Sequence, residues 1–326
     1  MFKKFTIATA VAAFGMFGAA SADTIILGNV AELSGPGATV GNAWTDAINM
    51  GADEINAAGG VLGMQLQIDT YDTQTDAQTS RALVQKAIDD GAFLILGTVY
   101  SSSTIVNMLV TMQQGIPQIV GSESPSITQK GNPYVFRSSF GAQKSMPKIA
   151  AYIDENLGAK SVAVSWVNNE FGKGGHDAFV SEMEARGIEV VADVSSEVGQ
   201  ADFASDVTKL KSSGADTIFV YLHEEESARL LKELRKQNVE VPILGETTLL
   251  NQKVIELSEG AADGIMGHVG LTVDAPNKEI QAFATRFSGR YGYKADHNAM
   301  KGYVAIYTAA TAIERAGELA RQKVAD

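Results

Sequence analysis

Cysteine is absent from this 326-residue chain. That single absence excludes disulfides, thiolate nucleophiles and thiolate metal ligands. Histidine is scarce, and His176, His223, His268 and His297 stand singly. No H-E-x-x-H pair occurs, so a zinc site has no ligand spacing to start from. The strand-to-helix elbow G-x-S-x-G of serine hydrolases is missing as well. Beyond residue 22 no apolar run is long enough to cross a bilayer. Positive charge is also short: the net charge is -12. A chain that acidic is a poor partner for nucleic acid or an anionic membrane surface.

The first 22 residues are of another kind. Lys3 and Lys4 precede an apolar stretch over 5–18, and Ala20-Ser21-Ala22 has the small-residue form of a cleavage site. This is the pattern of a secretory signal peptide cut before Asp23, and it predicts an exported protein. Loss of Lys3 and Lys4 takes the net charge from -12 to -14. About 300 remaining residues are enough for two ordinary domains.

From residue 24 onward, strand-like and helix-like segments alternate. Strands are predicted over 24–30, 66–71, 93–97 and 117–120, with helices over 40–58, 76–90 and 104–112 between them. In the first helix Trp44, Ile48, Ala52 and Ile55 share one face, and Gly59-Gly60 stops it. The rhythm then repeats, with strands over 161–166, 189–194, 217–222 and 241–244. Helices over 172–186, 203–212 and 226–237 separate them. Such alternation predicts an α/β protein of two Rossmann-like lobes, each with a parallel sheet covered on both faces. The division falls near 137–146.

Two local patterns have plain readings. The stretch 35–41 (GPGATVG) is one residue off the dinucleotide fingerprint, and Pro36 lacks the N–H a phosphate needs. It is taken as a glycine-rich turn beside a cleft. Glu224-Glu225-Glu226 is taken as a solvated helix N-terminus, where the helix dipole favours acids. With no supporting base, nucleophile or metal, an exported hydrolase is the weaker class.

Ligands of open parallel sheets bind outside the carboxyl ends of the strands. Polar residues gather there at 33–36, 100–104, 121–125, 168–172, 221–224 and 245–248. The loop "YSSST" (100–104) concentrates hydroxyls where a helix N-terminus would favour an anion; one hydroxyl would suffice as a cap. If the lobes face each other, all six loops line one cleft.

Nine segments together carry a resemblance: the loop "LSGP" (33–36), "GADEINAAGGVLG" (51–63), "YDTQTD" (71–76), "SSST" (101–104), "GIPQI" (115–119), "SPSITQKGNPYVFR" (124–137), "EFGKGG" (170–175), "ADF" (201–203) and "ILGET" (243–247). In these the chain resembles the type I periplasmic solute-binding proteins of ABC importers, the Leu/Ile/Val-binding group. The resemblance implies lobe 1 over 23–140, lobe 2 over 141–266, a return to lobe 1 over 267–326, and a hinge between them. It implies a monomer in the periplasm that closes on an amino-acid-like ligand and presents it to a membrane permease, with no cofactor and no catalysis. A sensor of the same fold serving a receptor is the alternative.

Carried over residue by residue, Ser101 contacts the ligand carboxylate, Gly121 offers its carbonyl to the ammonium and Glu246 pairs with that ammonium from the other lobe. Ser102, Ser122, Glu123, Phe171 and Tyr221 complete the expected contacts, with Ser102, Ser103 and Thr104 as caps and loop geometry. Three positions depart from the group. Glu123 stands where a carboxylate-binding Thr is usual, and Phe171 and Val40 stand where Tyr is usual. A carboxylate at 123 repels the ligand's own unless Glu123 turns outward or the ligand differs. Glu123 with Glu246 then suits more cationic or donor character, such as an amide, a urea-like compound or a basic amino compound; an amino-acid-like ligand is the first expectation. The resemblance also implies that the chain ends early, before the strands that finish lobe 1 and the third hinge crossing.

Overall fold

The computed structural model describes residues 24–326. The signal-peptide expectation at 1–22 lies outside the described residues. Two five-stranded parallel sheets form the body of the molecule. The first contains β1 (Thr24–Ala31), β2 (Gln65–Asp72), β3 (Leu94–Leu96), β4 (Gln118–Val120) and β5 (Val135–Arg137). The second contains β6 (Ser161–Val167), β7 (Glu189–Ser196), β8 (Thr217–Tyr221), β9 (Ile243–Gly245) and β10 (Met266–Gly267). Their orders are β2-β1-β3-β4-β5 and, read from the opposite edge, β7-β6-β8-β9-β10. The two lobes thus share one topology, in which the strand order reverses between the first and third strands.

Local signals explain most of the helices. In α1 (Ala38–Ala57) Trp44, Ile48, Ala52 and Ile55 are buried, as their spacing predicts. Asp76 caps α2 (Ala77–Asp89) through Thr79 N–H, and Asn169 caps α6 (Glu170–Arg186) through Gly172 N–H. Gly115 and Gly187 take the left-handed conformation that ends α3 (Ser101–Gln114) and α6. Helix α3 starts three residues before its predicted start. Its N-cap residue is Tyr100, which makes no side-chain cap bond. The serines are therefore in the first turn rather than ahead of it.

The chain crosses between the sheets after β5, into α5 (Ala142–Tyr152) and the π-helical turn that continues it (Ile153–Leu157). A second crossing runs over 268–277. The two crossings touch, with the Phe140 and His268 rings edge to face at 6.1 Å. Beyond α7 (Ala204–Ser212), α8 (Glu224–Lys236), α9 (Gln252–Ser258) and α10 (Lys278–Tyr291), helix α11 (His297–Ala316) returns to the first sheet, and α12 (Arg321–Ala325) follows it.

Helix α11 packs along α1. Ala305, Ile306, Ala309 and Ile313 join Trp44, Ile48, Leu94 and Leu96 in one core. The approach is close enough that a Cβ on Gly302 would collide with the Trp44 carbonyl. The second lobe has its own core, with Phe179 and Phe219 stacked at 3.8 Å.

Trp44 anchors the first lobe: its ring is fully buried and its Nε1–H donates to Asn29 Oδ1 at 3.0 Å. Replacing Trp44 by Ala empties a large volume and leaves Asn29 Oδ1 without its donor. The expected cost is about 3–5 kcal/mol, to be read from urea unfolding monitored by circular dichroism.

Candidate functional site

The site lies where the reversal points of the two sheets face each other. From lobe 1 come the ends of β1, β3 and β4, which carry Glu32, Tyr100, Gly121 and Glu123. From lobe 2 come the ends of β6, β8 and β9, which carry Phe171, Tyr221, His223 and Glu246. Between them is a cavity of about 20 Å³, lined among others by Tyr100, Gly121, Glu123, Phe171, His223 and Lys301. The room left is that of about one water, so the cleft is closed.

The serine loop differs from its expected role. Ser101 Oγ accepts from Ser124 N–H at 3.2 Å, while Ser102 lies half-buried on the first turn of α3. Thr104 is no cap: its hydroxyl joins those of Thr98 and Ser122 in a buried chain, at 2.8 and 2.5 Å. Ser122 Oγ also lies 2.9 Å from the Thr98 carbonyl. A carboxyl group does sit at this turn, and it belongs to the protein. The Glu32 carboxyl accepts from Val99 N–H and Tyr100 N–H at 3.3 and 3.2 Å. Burial lifts Glu32 to about 7, against the pull of these backbone donors.

Glu123 does not turn outward. It is buried, and Lys301 Nζ donates to its Oε1 at 2.6 Å. Burial pushes the Glu123 carboxyl up, while the Lys301 and Arg137 charges pull it down and Glu246 pushes it further up. Glu246 accepts from the Thr247 hydroxyl through Oε1, and its Oε2 is buried without a partner among the described residues. The Tyr221 hydroxyl faces the Glu123 carboxyl. Burial, then the charges of Glu123 and Glu246, hold Tyr221 well above its usual range, so the phenol keeps its proton. A Cβ on Gly175 would run into the Tyr221 ring, so only glycine lets α6 pass there.

Aromatic rings bridge the lobes. His223 stacks on Tyr100 at 4.3 Å and on Phe171 at 5.0 Å, and Phe171 stacks on Tyr221 at 4.2 Å. Burial depresses His223 to about 4, so it stands neutral between the rings.

The acidic run at the start of α8 is not solvated. Glu224 and Glu226 are each 2% exposed. Glu224 Oε1 accepts from Asn251 and Asn298, both at 3.2 Å, and Glu226 Oε1 accepts from Gly199 N–H. Glu225 accepts from the Thr39 hydroxyl at 2.8 Å across the cleft. Placing α8's first turn against the other lobe excludes the water that would have solvated these acids. Burial first, then the charges of Glu225 and Asp296, raises Glu224 to about 8. A second seam joins Glu170 of α6 to Ser124 and Ser126, at 3.1 and 2.6 Å.

Residues 24–326 match the family model described as periplasmic binding protein. The chain belongs to that family. A leucine-, isoleucine-, valine-, threonine- and alanine-binding protein of Pseudomonas aeruginosa is 28% identical over 98% of this chain and 85% of its own. The Leu/Ile/Val-binding protein BraC3 of Rhizobium johnstonii is 26% identical over 95% and 84%. Among solved structures, the leucine binding protein LivK of Thermotoga maritima superposes with a TM-score of 0.85 at 23% identity, covering 92% of this chain and 86% of that one. A Rhodopseudomonas palustris solute-binding protein in complex with 3,4-dihydroxybenzoic acid reaches 0.86 at 20% identity, covering 93% and 84%. These neighbours share the type I fold, and the family is one of solute-binding proteins.

Sequence reasoning missed Glu32, His297, Asn298 and Lys301 as parts of this binding protein's cleft, and it placed His223 and Glu224 there only as members of the loop 221–224. A signal for one of them was present. Lys301 lies on the same helical stripe as Ala305 and Ala309, so a lysine interrupts an otherwise apolar face.

Two outcomes are expected. Lys301→Met leaves a buried carboxylate unpaired and costs about 3–5 kcal/mol in denaturant unfolding, most of it regained in Glu123→Gln/Lys301→Met. Glu224 carries a pKa raised from 4.5 to about 8, so the folded chain holds a proton the unfolded chain releases. Its contribution to stability is present below about 4.5 and lost as pH rises toward about 8. His223 works oppositely: its contribution is present above 6.5 and lost as pH falls toward about 4. Unfolding midpoints measured from pH 5 to 9 should fall more steeply for the parent than for Glu224→Gln. Equal slopes would show that Glu224 does not govern the decline.

Proposed function

We propose that this chain is an extracytoplasmic solute-binding protein that captures an amino acid or a related small amine or amide and delivers it to an ABC importer. The observation that carries the reading is a buried carboxyl oxygen between the lobes, Glu246 Oε2, which has no partner among the described residues. Burying such a group without a partner is costly, and a ligand that bonds to it recovers the loss when the lobes close.

Roles follow from position. Glu246 receives the ligand's ammonium or amide N–H, with the Gly121 carbonyl as a second acceptor. Tyr221 donates its hydroxyl, and Ser101 and Ser102 offer hydroxyls at the first turn of α3. Phe171 forms an apolar wall, and Glu123 with Lys301 a neutralised one. Ser122 acts through Thr104 and Thr98, holding the floor rather than touching solute. Closure is what the permease reads: the seams at Glu225 and Glu170 form only when both lobes meet. The protein works as a monomer in the periplasm, and its relatives' binding of branched-chain amino acids supports the amine end of the site.

Titration calorimetry against a panel of amino acids and amides should find a ligand. Glu246→Ala should abolish its binding. An amine ligand bound by Glu246→Ala with unchanged affinity would remove Glu246 from the site and the reading with it.

A further inference from the structure

We propose that the cleft selects a small organic cation, carrying an ammonium or guanidinium group and no carboxylate. The proposal rests on the solute-binding reading above and narrows its ligand class. Its basis is that the backbone donors before α3 and the lysine of the cavity wall, which a ligand carboxylate would use, are taken, while an acceptor for a cation is open.

The turn before α3 would offer backbone N–H groups to an anion, but Glu32 already holds Val99 N–H and Tyr100 N–H. Lys301 is the cation in the cavity wall, and it is committed to Glu123 at 2.6 Å and to Asn298 Oδ1 at 3.3 Å. Arg137, the other cation acting on Glu123, is tied by Nη2 to the Ser124 carbonyl and the Thr128 hydroxyl, at 2.7 and 3.2 Å. Its Nε and Nη1 are buried without partners among the described residues, and Nη1 lies beside Gly141, between β5 and α5. A ligand carboxylate in the cavity would thus meet the carboxyl groups of Glu123 and Glu224 and a lysine that is already paired.

A cation meets the opposite situation. Glu246 is 2% exposed, and its Oε2 has no partner. His268 Nδ1 stands 3.7 Å from Glu246 Oε1, beyond hydrogen-bond reach, and leaves Oε2 open. Glu123 is matched by Lys301, so the free oxygen of Glu246 is the acceptor an entering cation would meet. The faces of Tyr100 and Phe171 suit an organic cation as well.

Matched pairs test the idea: agmatine against arginine, and isopentylamine against leucine, by calorimetry on the whole protein. In each pair the amine should bind at least about tenfold more tightly than the amino acid. Glu246→Gln, which keeps the shape, should weaken the amine about tenfold or more. Glu123→Thr, which frees Lys301 for a ligand carboxylate, should narrow or reverse the gap within each pair. Circular dichroism establishes that both variants fold. An amino acid that equals or exceeds its amine in the parent protein overturns the proposal and leaves the solute-binding reading standing. If neither pair binds, the proposal is overturned too. Binding of an uncharged or purely anionic solute in that case removes the amine from the reading above, while binding of nothing in the panel removes the reading itself.

Discussion

The buried bond between Lys301 and Glu123 joins the two ends of the first lobe at the floor of the cleft. Removing either partner would leave a charge in a place without water, so each residue fixes the other. Everything around the pair is arranged by the same dryness. Glu224 rises to about 8, Glu32 to about 7, and His223 sinks to about 4, because burial disfavours whichever form carries charge. A cleft in which several acids keep their protons is a different surface from the one suggested by counting glutamates. Its real charge depends on what enters.

The two sheets supply the stage for that chemistry. Because both have the same strand order, both reversal points present loops in the same sense, and the lobes can face each other loop to loop. The seams at Thr39–Glu225 and at Ser124/Ser126–Glu170 are hydrogen bonds between side chains on opposite lobes. Each is small by itself, about 0.5–1.5 kcal/mol for a typical net bond, or more where a charge is involved. Such values suit a clamp that has to reopen.

Much of the architecture was legible in the alternation of short apolar strands with helices of one apolar face. The face of α1 carrying Trp44 and Ile48, and its stop at Gly59-Gly60, were read directly, since local periodicity and caps are local physics. What was not legible depended on partners far along the chain. The serines of α3 look like caps until Glu32, some 70 residues earlier, takes the nearby N–H groups. The triple glutamate looks solvated until Thr39 and Asn298 close over it. The candidate site was legible as a set of strand-end loops, several of which contribute to the cavity wall, among them Gly121, Glu123 and Thr248. Its charge balance was not, because the neutralising lysine arrives from α11.

That return helix also bears on how the molecule is made. The strands of the second lobe are continuous in sequence, whereas α1 and α11, which share one core, are separated by the whole of that lobe. As the chain is synthesised, the second lobe has all its parts before the first has its last helix. The face of α1 must wait, exposed, until residues 297–316 follow. The same helix brings Lys301, so Glu123 gains its partner only when the first core closes. Binding competence is therefore among the last properties the nascent chain acquires.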